Sequence, residues 1–255
     1  MTLLRTRHLG VEIGKTLVCE GLNLEIEAGQ RWAILGRNGS GKTTLLLTLA
    51  GLRRQAAGRI ELNGRCLQQT HRRHIAQQLG LLPQDNQDSF PATVLETALI
   101  GRHPHLSLWR PESEADRSMA RSALAAVDLS DFEGREISTL SGGERRRLAL
   151  ATLLTQDPEL LLLDEPVNHL DLHHQIRVLE LLTEQSEQQR KTLVMVLHDP
   201  NLAARFAGHC LLLLGAGETR HGPCQELLHQ PQLEALYGHP LVTVRNGDHP
   251  AWLPG

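Results

Sequence analysis

Apolar residues follow two different patterns along this chain. Over residues 9–13 and 22–26 they recur at every second position, which predicts half-buried antiparallel strands. Residues 32–35, 160–163 and 192–197 are instead continuous apolar runs. Such runs indicate strands covered on both faces, as in a parallel sheet with helices on each side. The pattern therefore predicts an α/β protein with antiparallel strands near its start.

Residues between Gln84 and Leu140 are patterned for helices. We predict a short helix around Val94–Leu99 and a longer one over Glu112–Val127, because apolar side chains recur there at helical spacing. The buried stripe of the longer helix is predicted to be Ala115, Met119, Ala123, Leu124 and Val127. Further predicted elements are helices near Gly143–Gln156, Leu172–Gln188 and Asn201–Ala207, a last strand at Cys210–Leu214, and short helices over 224–237 before a tail that contains Pro and Gly.

A glycine-rich stretch joins one apolar run to the next helix and fits the pattern Gly-x4-Gly-Lys-Thr. Glycines let the backbone curl around an anion with its N–H groups pointing inward, and the following helix adds positive charge at its N-terminus. Lys42 should reach the β- and γ-phosphates and Thr43 should ligate Mg²⁺. The predicted nucleotide-binding residues are Gly36, Arg37, Asn38, Gly39, Ser40, Gly41, Lys42, Thr43 and Thr44.

Two adjacent carboxylates end the apolar run at residues 160–163. Because side chains alternate along a strand, Asp164 and Glu165 should point in different directions. We interpret Asp164 as a Mg²⁺ ligand acting through water, and Glu165 as the general base or orienting group for the attacking water. An acidic strand end is common by chance, but together with the glycine-rich stretch it favours triphosphate hydrolysis.

Composition narrows the function further. The formal net charge of -3 predicts no nucleic-acid partner. The four cysteines are widely spaced, which is typical of reduced thiols in a cytosolic protein. The sequence predicts neither a signal segment nor a membrane-spanning one, so membrane association should come through another protein.

Ser141-Gly142-Gly143-Glu144 lies at the predicted start of another helix. A simple helix cap is one reading, and a second anion site is the other. With the glycine-rich stretch before it and Asp164-Glu165 and His198 after it, the chain resembles an ABC-type ATPase. In that family Ser-Gly-Gly binds the γ-phosphate held by a second subunit. The resemblance thus implies in-trans contacts from Ser141, Gly142, Gly143, Glu144 and Asp171 in a homodimer.

The resemblance also implies roles and cofactors. Gln84 matches a glutamine that touches metal and water, and His198 matches a histidine that contacts the γ-phosphate. The predicted catalytic residues are Glu165, His198 and Gln84, and the predicted Mg²⁺ ligands are Thr43, Gln84 and Asp164. ATP and Mg²⁺ are the expected cofactors. Family members usually stack an aromatic residue on adenine where this chain has Ile13, so base selectivity is open; His8 is a weak substitute.

The fold implied by the resemblance is an α/β P-loop NTPase (RecA-like) core with an antiparallel β edge subdomain and an inserted helical subdomain. We predict a single ABC ATPase domain over 1–255. Residues 1–84 and 145–255 would form the core and its antiparallel part, and 85–144 the insertion, with a hinge-like entry over 83–91.

A narrower resemblance concerns the residues 94–97, 101–105, 165–171 and 237–241. These look like ATPases of iron–siderophore, haem and cobalamin importers. The resemblance implies two integral membrane permease subunits, an extracytoplasmic substrate-binding protein, and a peripheral position on the cytoplasmic face of the inner membrane. Which chelate is carried is open. The alternative is a non-transport ABC ATPase that acts as a mechanical switch on ribosomes or DNA.

Overall fold

The computed structural model describes residues 1–84, 91–107, 111–246 and 249–255. Most of the predicted hinge-like entry, residues 85–90, lies outside the described residues. The strands in chain order are β1 (Thr2–Ile13), β2 (Thr16–Leu22), β3 (Glu25–Glu27), β4 (Arg31–Gly36), β5 (Ala57–Leu62), β6 (Arg65–Cys66), β7 (Leu79–Leu82), β8 (Leu160–Asp164), β9 (Thr192–Val196), β10 (His209–Gly215), β11 (Glu218–Pro223), β12 (Leu241–Asn246) and β13 (His249–Pro254).

The α-helices are α1 (Lys42–Leu49), α2 (Arg72–Gln78), α3 (Val94–Leu99), α4 (Glu114–Ala126), α5 (Gly142–Gln156), α6 (Leu172–Gln189), α7 (Pro200–Phe206), α8 (Cys224–Leu227) and α9 (Gln230–Tyr237). Single 3-10 turns occur at Leu67–Gln69, Ile100–Arg102, Ser130–Phe132 and Ile137–Thr139. The predicted helices therefore form close to their expected bounds.

The continuous apolar runs lie in one sheet of strand order β11-β10-β4-β9-β8-β7. Strands β10, β4, β9, β8 and β7 are parallel, and β11 is antiparallel to β10. Strand β8 explains why its sequence does not alternate: Leu161 and Leu163 pack into one hydrophobic cluster, whereas Leu160 and Leu162 pack into the cluster on the other face. Both faces of β8 are covered by buried side chains, so each of its four positions before Asp164 is apolar.

The strands with period-two patterns form a second, antiparallel sheet of order β2-β1-β5-β6, in which β3 also pairs with β1. Strands β5 and β6 join through Asn63 and Gly64, which both have positive φ, +48° and +74°. This is the turn conformation that an Asn-Gly pair favours in a tight hairpin. The sheet shares a hydrophobic cluster with α1, since Val18 and Leu45 both lie in it.

Helices α3, α4 and α5 pack together after β7, with Val94, Leu124 and Leu148 in one cluster. The predicted stripe of α4 is wrong at its start, because Ala115 is exposed and Asp116 is buried. Asp116 turns inward because it closes a capping box with Ser113 and forms a 2.7 Å ion pair with Arg102. Ala123, Leu124 and Val127 are buried as predicted.

The prediction that the strand at Cys210–Leu214 is the last one is wrong. Strand β11 follows it as an antiparallel edge strand, and β12 and β13 form a hairpin near the C-terminus. These strands bury little, so their sequences lack a clear apolar period. The anchor of the hairpin is Trp252, which is 4% exposed and whose backbone exchanges two hydrogen bonds with the Asn201 side chain on α7.

Candidate functional site

The glycine-rich loop connects β4 to α1. Gly41 caps α1 with φ +94°, and a Cβ there would lie 2.5 Å from a methyl carbon of Val18. Both the backbone angle and the space therefore require glycine. The turn leaves the first N–H groups of α1 at the mouth of the loop, where they can bind an anion.

Lys42 lies inside this loop and is 6% exposed. Its Nζ donates hydrogen bonds to the carbonyls of Gly36 (2.8 Å) and Arg37 (3.1 Å), which hold the side chain across the loop. Burial lowers the pKa of the Lys42 ammonium, and the nearby Glu165 and Asp164 carboxylates oppose that shift. The loop thus presents a fixed point charge beside the helix N-terminus.

Asp164 ends β8 and is 2% exposed. The Thr43 side chain lowers the pKa of this carboxylate. Within the described ranges, its Oδ1 atom is buried and has no hydrogen-bond partner. Burial raises the pKa of Asp164, against the effects of Thr43, Arg146 and Lys42. A buried carboxylate oxygen without a donor, beside a hydroxyl, fits a divalent cation that prefers oxygen ligands.

Glu165 follows directly and points elsewhere, because its φ of +51° turns the chain sharply at the end of the strand. Its Oε2 accepts hydrogen bonds from the amides of Asn168 (2.8 Å) and Gln84 (3.3 Å). Its Oε1 lies 2.6 Å from Nε2 of His198, which follows β9. The loops after three parallel strands, β7, β8 and β9, therefore meet on one carboxylate at one edge of the sheet.

A cleft of about 520 Å³ joins these groups. It is lined by Ile13, Asn38, Gly39, Gly41, Lys42, Thr43, Thr44, Gln84, Glu165, Asn168 and His198. Most predicted nucleotide-binding residues and all three predicted catalytic residues thus lie at one place. Ile13 is at its rim and 37% exposed. His8 lies elsewhere, with its backbone N–H bonded to the side chain of Asn23.

The residues predicted to act in trans lie apart from that cleft. Ser141 caps α5 in a reciprocal capping box with Glu144, and Ser141 and Gly142 are exposed. Among the residues that the structure describes, none would lie within 4 Å of a Cβ on Gly142. Asp171 caps α6 and is exposed as well. These helix starts therefore face outward from the subunit, open to a second molecule.

Two residues near the site were not assigned a role from the sequence. Asn168 lines the cleft and donates to Glu165, but its type alone does not distinguish an orienting amide from a turn residue. Arg146 on α5 donates to the main-chain carbonyls of both Asp164 and Glu165. The sequence shows three consecutive arginines after Glu144, but only the structure shows which of them is buried against the site.

A glycine-rich loop between a strand and a helix, facing a neighbouring parallel strand that ends in carboxylates, defines a P-loop nucleoside triphosphatase. Residues 19–168 match the family model described as "ABC transporter". The chain belongs to the ABC transporter family and is an ATP-binding ATPase of that family. This confirms the predicted family and the predicted α/β P-loop fold.

Several curated relatives are similar over most of their length. The chain is 41% identical to petrobactin import ATP-binding protein FpuD of Bacillus anthracis, covering 92% of this chain and 86% of that protein. It is 39% identical to ferric enterobactin transport ATP-binding protein FepC of Escherichia coli K12 (92% and 87%). It is 36% identical to hemin import ATP-binding protein HmuV of Burkholderia ambifaria (96% and 97%).

Two solved structures extend the comparison. A chain from a transporter described as metal-chelate type, in an inward-facing conformation, superposes with a TM-score of 0.87 at 30% identity, covering 100% of this chain and 98% of that one. The dimeric bacterial ABC transporter cassette MJ0796 superposes with a TM-score of 0.76 at 25% identity (87% and 99%). None of the helices in the described part of this chain is both long and apolar enough to cross a membrane.

Proposed function

We propose that this chain is the ATPase subunit of an importer that takes up a metal chelate, a ferric siderophore, haem or cobalamin. The observation that carries the proposal is its 36–41% identity to ATP-binding proteins of petrobactin, enterobactin and hemin import across almost the whole chain. The 30% identity to a chain of a metal-chelate type transporter supports the same class of cargo.

We assign the hydrolytic roles to side chains in the cleft. The amides of the glycine-rich loop and Lys42 bind the β- and γ-phosphates. Glu165 would orient the attacking water and accept its proton. We assign contact with the γ-phosphate to His198, whose Nε2 is 2.6 Å from that carboxylate. Gln84 and Asn168 hold the second oxygen of Glu165 and so set its direction.

The oxygens of Thr43 and Asp164, with the amide oxygen of Gln84, are the groups we assign to Mg²⁺. The unpartnered Oδ1 of Asp164, taken over the described residues, supports this assignment. Mg²⁺ would neutralise charge on the β- and γ-phosphate oxygens. Gln84 has a second contact at this place, because its amide Nε2 donates a hydrogen bond to Glu165.

We further propose that hydrolysis requires two subunits arranged head to tail. The exposed start of α5, with Ser141, Gly142, Gly143 and Glu144, would bind the γ-phosphate held by the other subunit, and Asp171 would cross the interface. The outward position of both helix starts supports this arrangement. We also propose that residues 1–84 and 145–255 form the core with its antiparallel β subdomain and that residues 85–144 form the inserted helical subdomain. Two permease subunits and an external substrate-binding protein would complete the importer at the cytoplasmic face of the inner membrane.

The decisive experiment uses Glu165→Gln, which keeps the shape of the side chain but cannot accept a proton. We expect ATP binding to persist while turnover falls by ~10²–10⁴, as for other lost general bases. Incubated with ATP, the variant should form a stable dimer by light scattering, and the double variant Glu165→Gln/Ser141→Arg should remain monomeric. Normal hydrolysis by Glu165→Gln, or a monomer in ATP, contradicts the assignment.

The importer itself is tested in the host cell. The tagged Glu165→Gln chain, isolated from membranes with ATP, should bring down a polytopic permease. A strain lacking the wild-type gene should lose uptake of one of three labelled cargoes, a ferric siderophore, haem or cobalamin. Wild-type chain should restore uptake and Glu165→Gln should not. Recovery of ribosomes or DNA instead of a permease, with uptake unchanged for all three cargoes, would establish the non-transport alternative.

A further inference from the structure

Arg146 lies on α5, one turn inside the exposed helix start, and is 6% exposed. Its guanidinium reaches the candidate site. There it donates hydrogen bonds to main-chain carbonyls in two separate segments. Nη1 donates to Pro83 (2.5 Å) and Gln84 (3.2 Å), and Nη2 donates to Asp164 (2.5 Å) and Glu165 (2.8 Å).

These carbonyls belong to the ends of two parallel strands. β7 ends at Leu82 and β8 at Asp164, so the four carbonyls lie at or just beyond the strand ends, where the hydrogen-bond pattern of the sheet stops. A buried carbonyl requires a donor, and here one side chain supplies several. The need is greatest at Glu165, because a non-glycine residue with φ of +51° persists only where the surroundings hold it.

We propose that Arg146 is a positioning residue for ATP hydrolysis. Its guanidinium connects α5, whose N-cap is Ser141, to the main chain of Gln84 and Glu165. The side chains of Gln84 and Glu165 therefore keep their alignment only while α5 is in place. A movement of α5 against a partner subunit would therefore displace the Glu165 carboxylate that orients the water. The inference rests on the proposed role of Glu165 and names the residue through which that role depends on α5.

The choice of arginine follows from geometry rather than from charge alone. A guanidinium is planar, and its two Nη groups point to different acceptors, here one strand end each. A lysine at the same position would keep the positive charge close to Asp164 and Glu165. Its compact ammonium, however, cannot reach both strand ends in the same way. Arg146→Lys therefore separates the positioning function from the electrostatic one.

The neighbouring residue provides a matched control. Arg147 is on the same helix, and its Nη1 donates to the main-chain carbonyls of Val127 (2.7 Å) and Asp128 (3.0 Å), at the end of α4 and away from the cleft. Arg147→Lys makes the same chemical change to an arginine that also binds two carbonyls. Any general effect of losing such bonds should therefore appear in both variants.

For both variants we would measure the thermal unfolding midpoint and the ATP affinity by titration calorimetry. We would measure kcat at a temperature well below both unfolding midpoints. We expect Arg146→Lys to keep ATP affinity and lose kcat roughly tenfold to a hundredfold, the usual effect of a small displacement of a reacting group. Arg147→Lys should keep its kcat. An Arg146→Lys protein that is folded and turns over like the control overturns the proposal.

A double variant tests whether Arg146 acts through Glu165. If it does, adding Arg146→Lys to Glu165→Gln should change the residual single-turnover rate little, because the group being positioned is already lost. The same loss in both backgrounds would mean a role independent of Glu165. If neither Arg146→Lys nor Arg146→Gln folds while Arg147→Lys does, the arginine is needed for folding and the positioning role is rejected. Normal hydrolysis by Glu165→Gln alone would instead reject the proposed function.

Discussion

Replacing Asp164 by asparagine should stabilise the nucleotide-free protein while damaging its response to Mg²⁺. Burial raises the pKa of Asp164 above its ordinary value of 3.8, so the folded protein disfavours the ionised form. A group whose pKa is raised by folding contributes its full stabilisation of the folded protein at pH values below its unfolded pKa. That stabilisation is lost as pH rises through the folded pKa. Burial therefore makes the ionised Asp164 side chain unfavourable in the folded protein, and an amide at this position carries no charge to bury.

The magnitude follows from the contacts of the carboxylate. An unsatisfied buried polar group costs about 1–3 kcal/mol, and more when it is charged. Asp164→Asn removes the charged part of this cost. Part of the gain in stability is offset, because the variant loses the attraction to Lys42 and buries an amide in place of the carboxylate. We expect a net stabilisation of about 1 kcal/mol, which raises the unfolding midpoint by roughly 2–4 °C for a chain of this size.

Asp116 is the matched control, because it is also buried but its pKa is shifted the other way. Hydrogen bonds from Ser113, together with Arg102, lower the pKa of Asp116 to about 2. Its stabilisation is therefore present above its unfolded pKa and is lost as pH falls towards the folded value. Asp116→Asn should destabilise the protein at pH 7, by roughly 1–3 kcal/mol for hydrogen bonds to a charged group.

The assay is thermal unfolding of the wild type, Asp164→Asn and Asp116→Asn between pH 5 and pH 8. Each protein is measured without nucleotide, with ATP in EDTA, and with ATP and Mg²⁺. The advantage of Asp164→Asn should grow with pH, and its extra stabilisation by Mg²⁺ over EDTA should be smaller than in the wild type. A lower midpoint for nucleotide-free Asp164→Asn at pH 7, or an unchanged Mg²⁺ response, would refute the reasoning.

Three further changes test the cleft. Lys42→Ala should bind ATP roughly tenfold to a hundredfold more weakly by calorimetry, since a charged hydrogen bond contributes about 1.5–3 kcal/mol; wild-type affinity and hydrolysis would exclude this phosphate site. Ile13→Tyr should bind ATP roughly twofold to tenfold more tightly, because an aromatic pair adds about 0.5–1.5 kcal/mol; unchanged affinity would place the base elsewhere. Asn168→Ala should lower kcat roughly twofold to tenfold at unchanged ATP affinity, by losing one hydrogen bond to Glu165; a wild-type kcat would mean that Asn168 does not orient it.

The phosphate-binding loop could be predicted from the sequence because its chemistry is contiguous. Gly41 needs its positive φ, Lys42 needs the loop carbonyls, and α1 begins at once, so one short stretch contains the whole anion site. The same holds for β8, where four leucines precede Asp164 and reveal a strand buried on both faces. The periodic spacing of apolar residues is clear where a helix or strand buries a whole face. This spacing predicted the positions of most helices.

Only the tertiary structure decided what surrounds Glu165. Gln84, Asn168 and His198 come from loops after three different strands, and they converge because parallel strands end at the same edge of the sheet. The inward turn of Asp116 depends on Arg102, and that of Arg146 on two strand ends, so neither follows from helical period alone. Asp116 and Arg146 are held by partners that are distant in the chain, whereas buried apolar side chains follow the pattern of their own helix or strand.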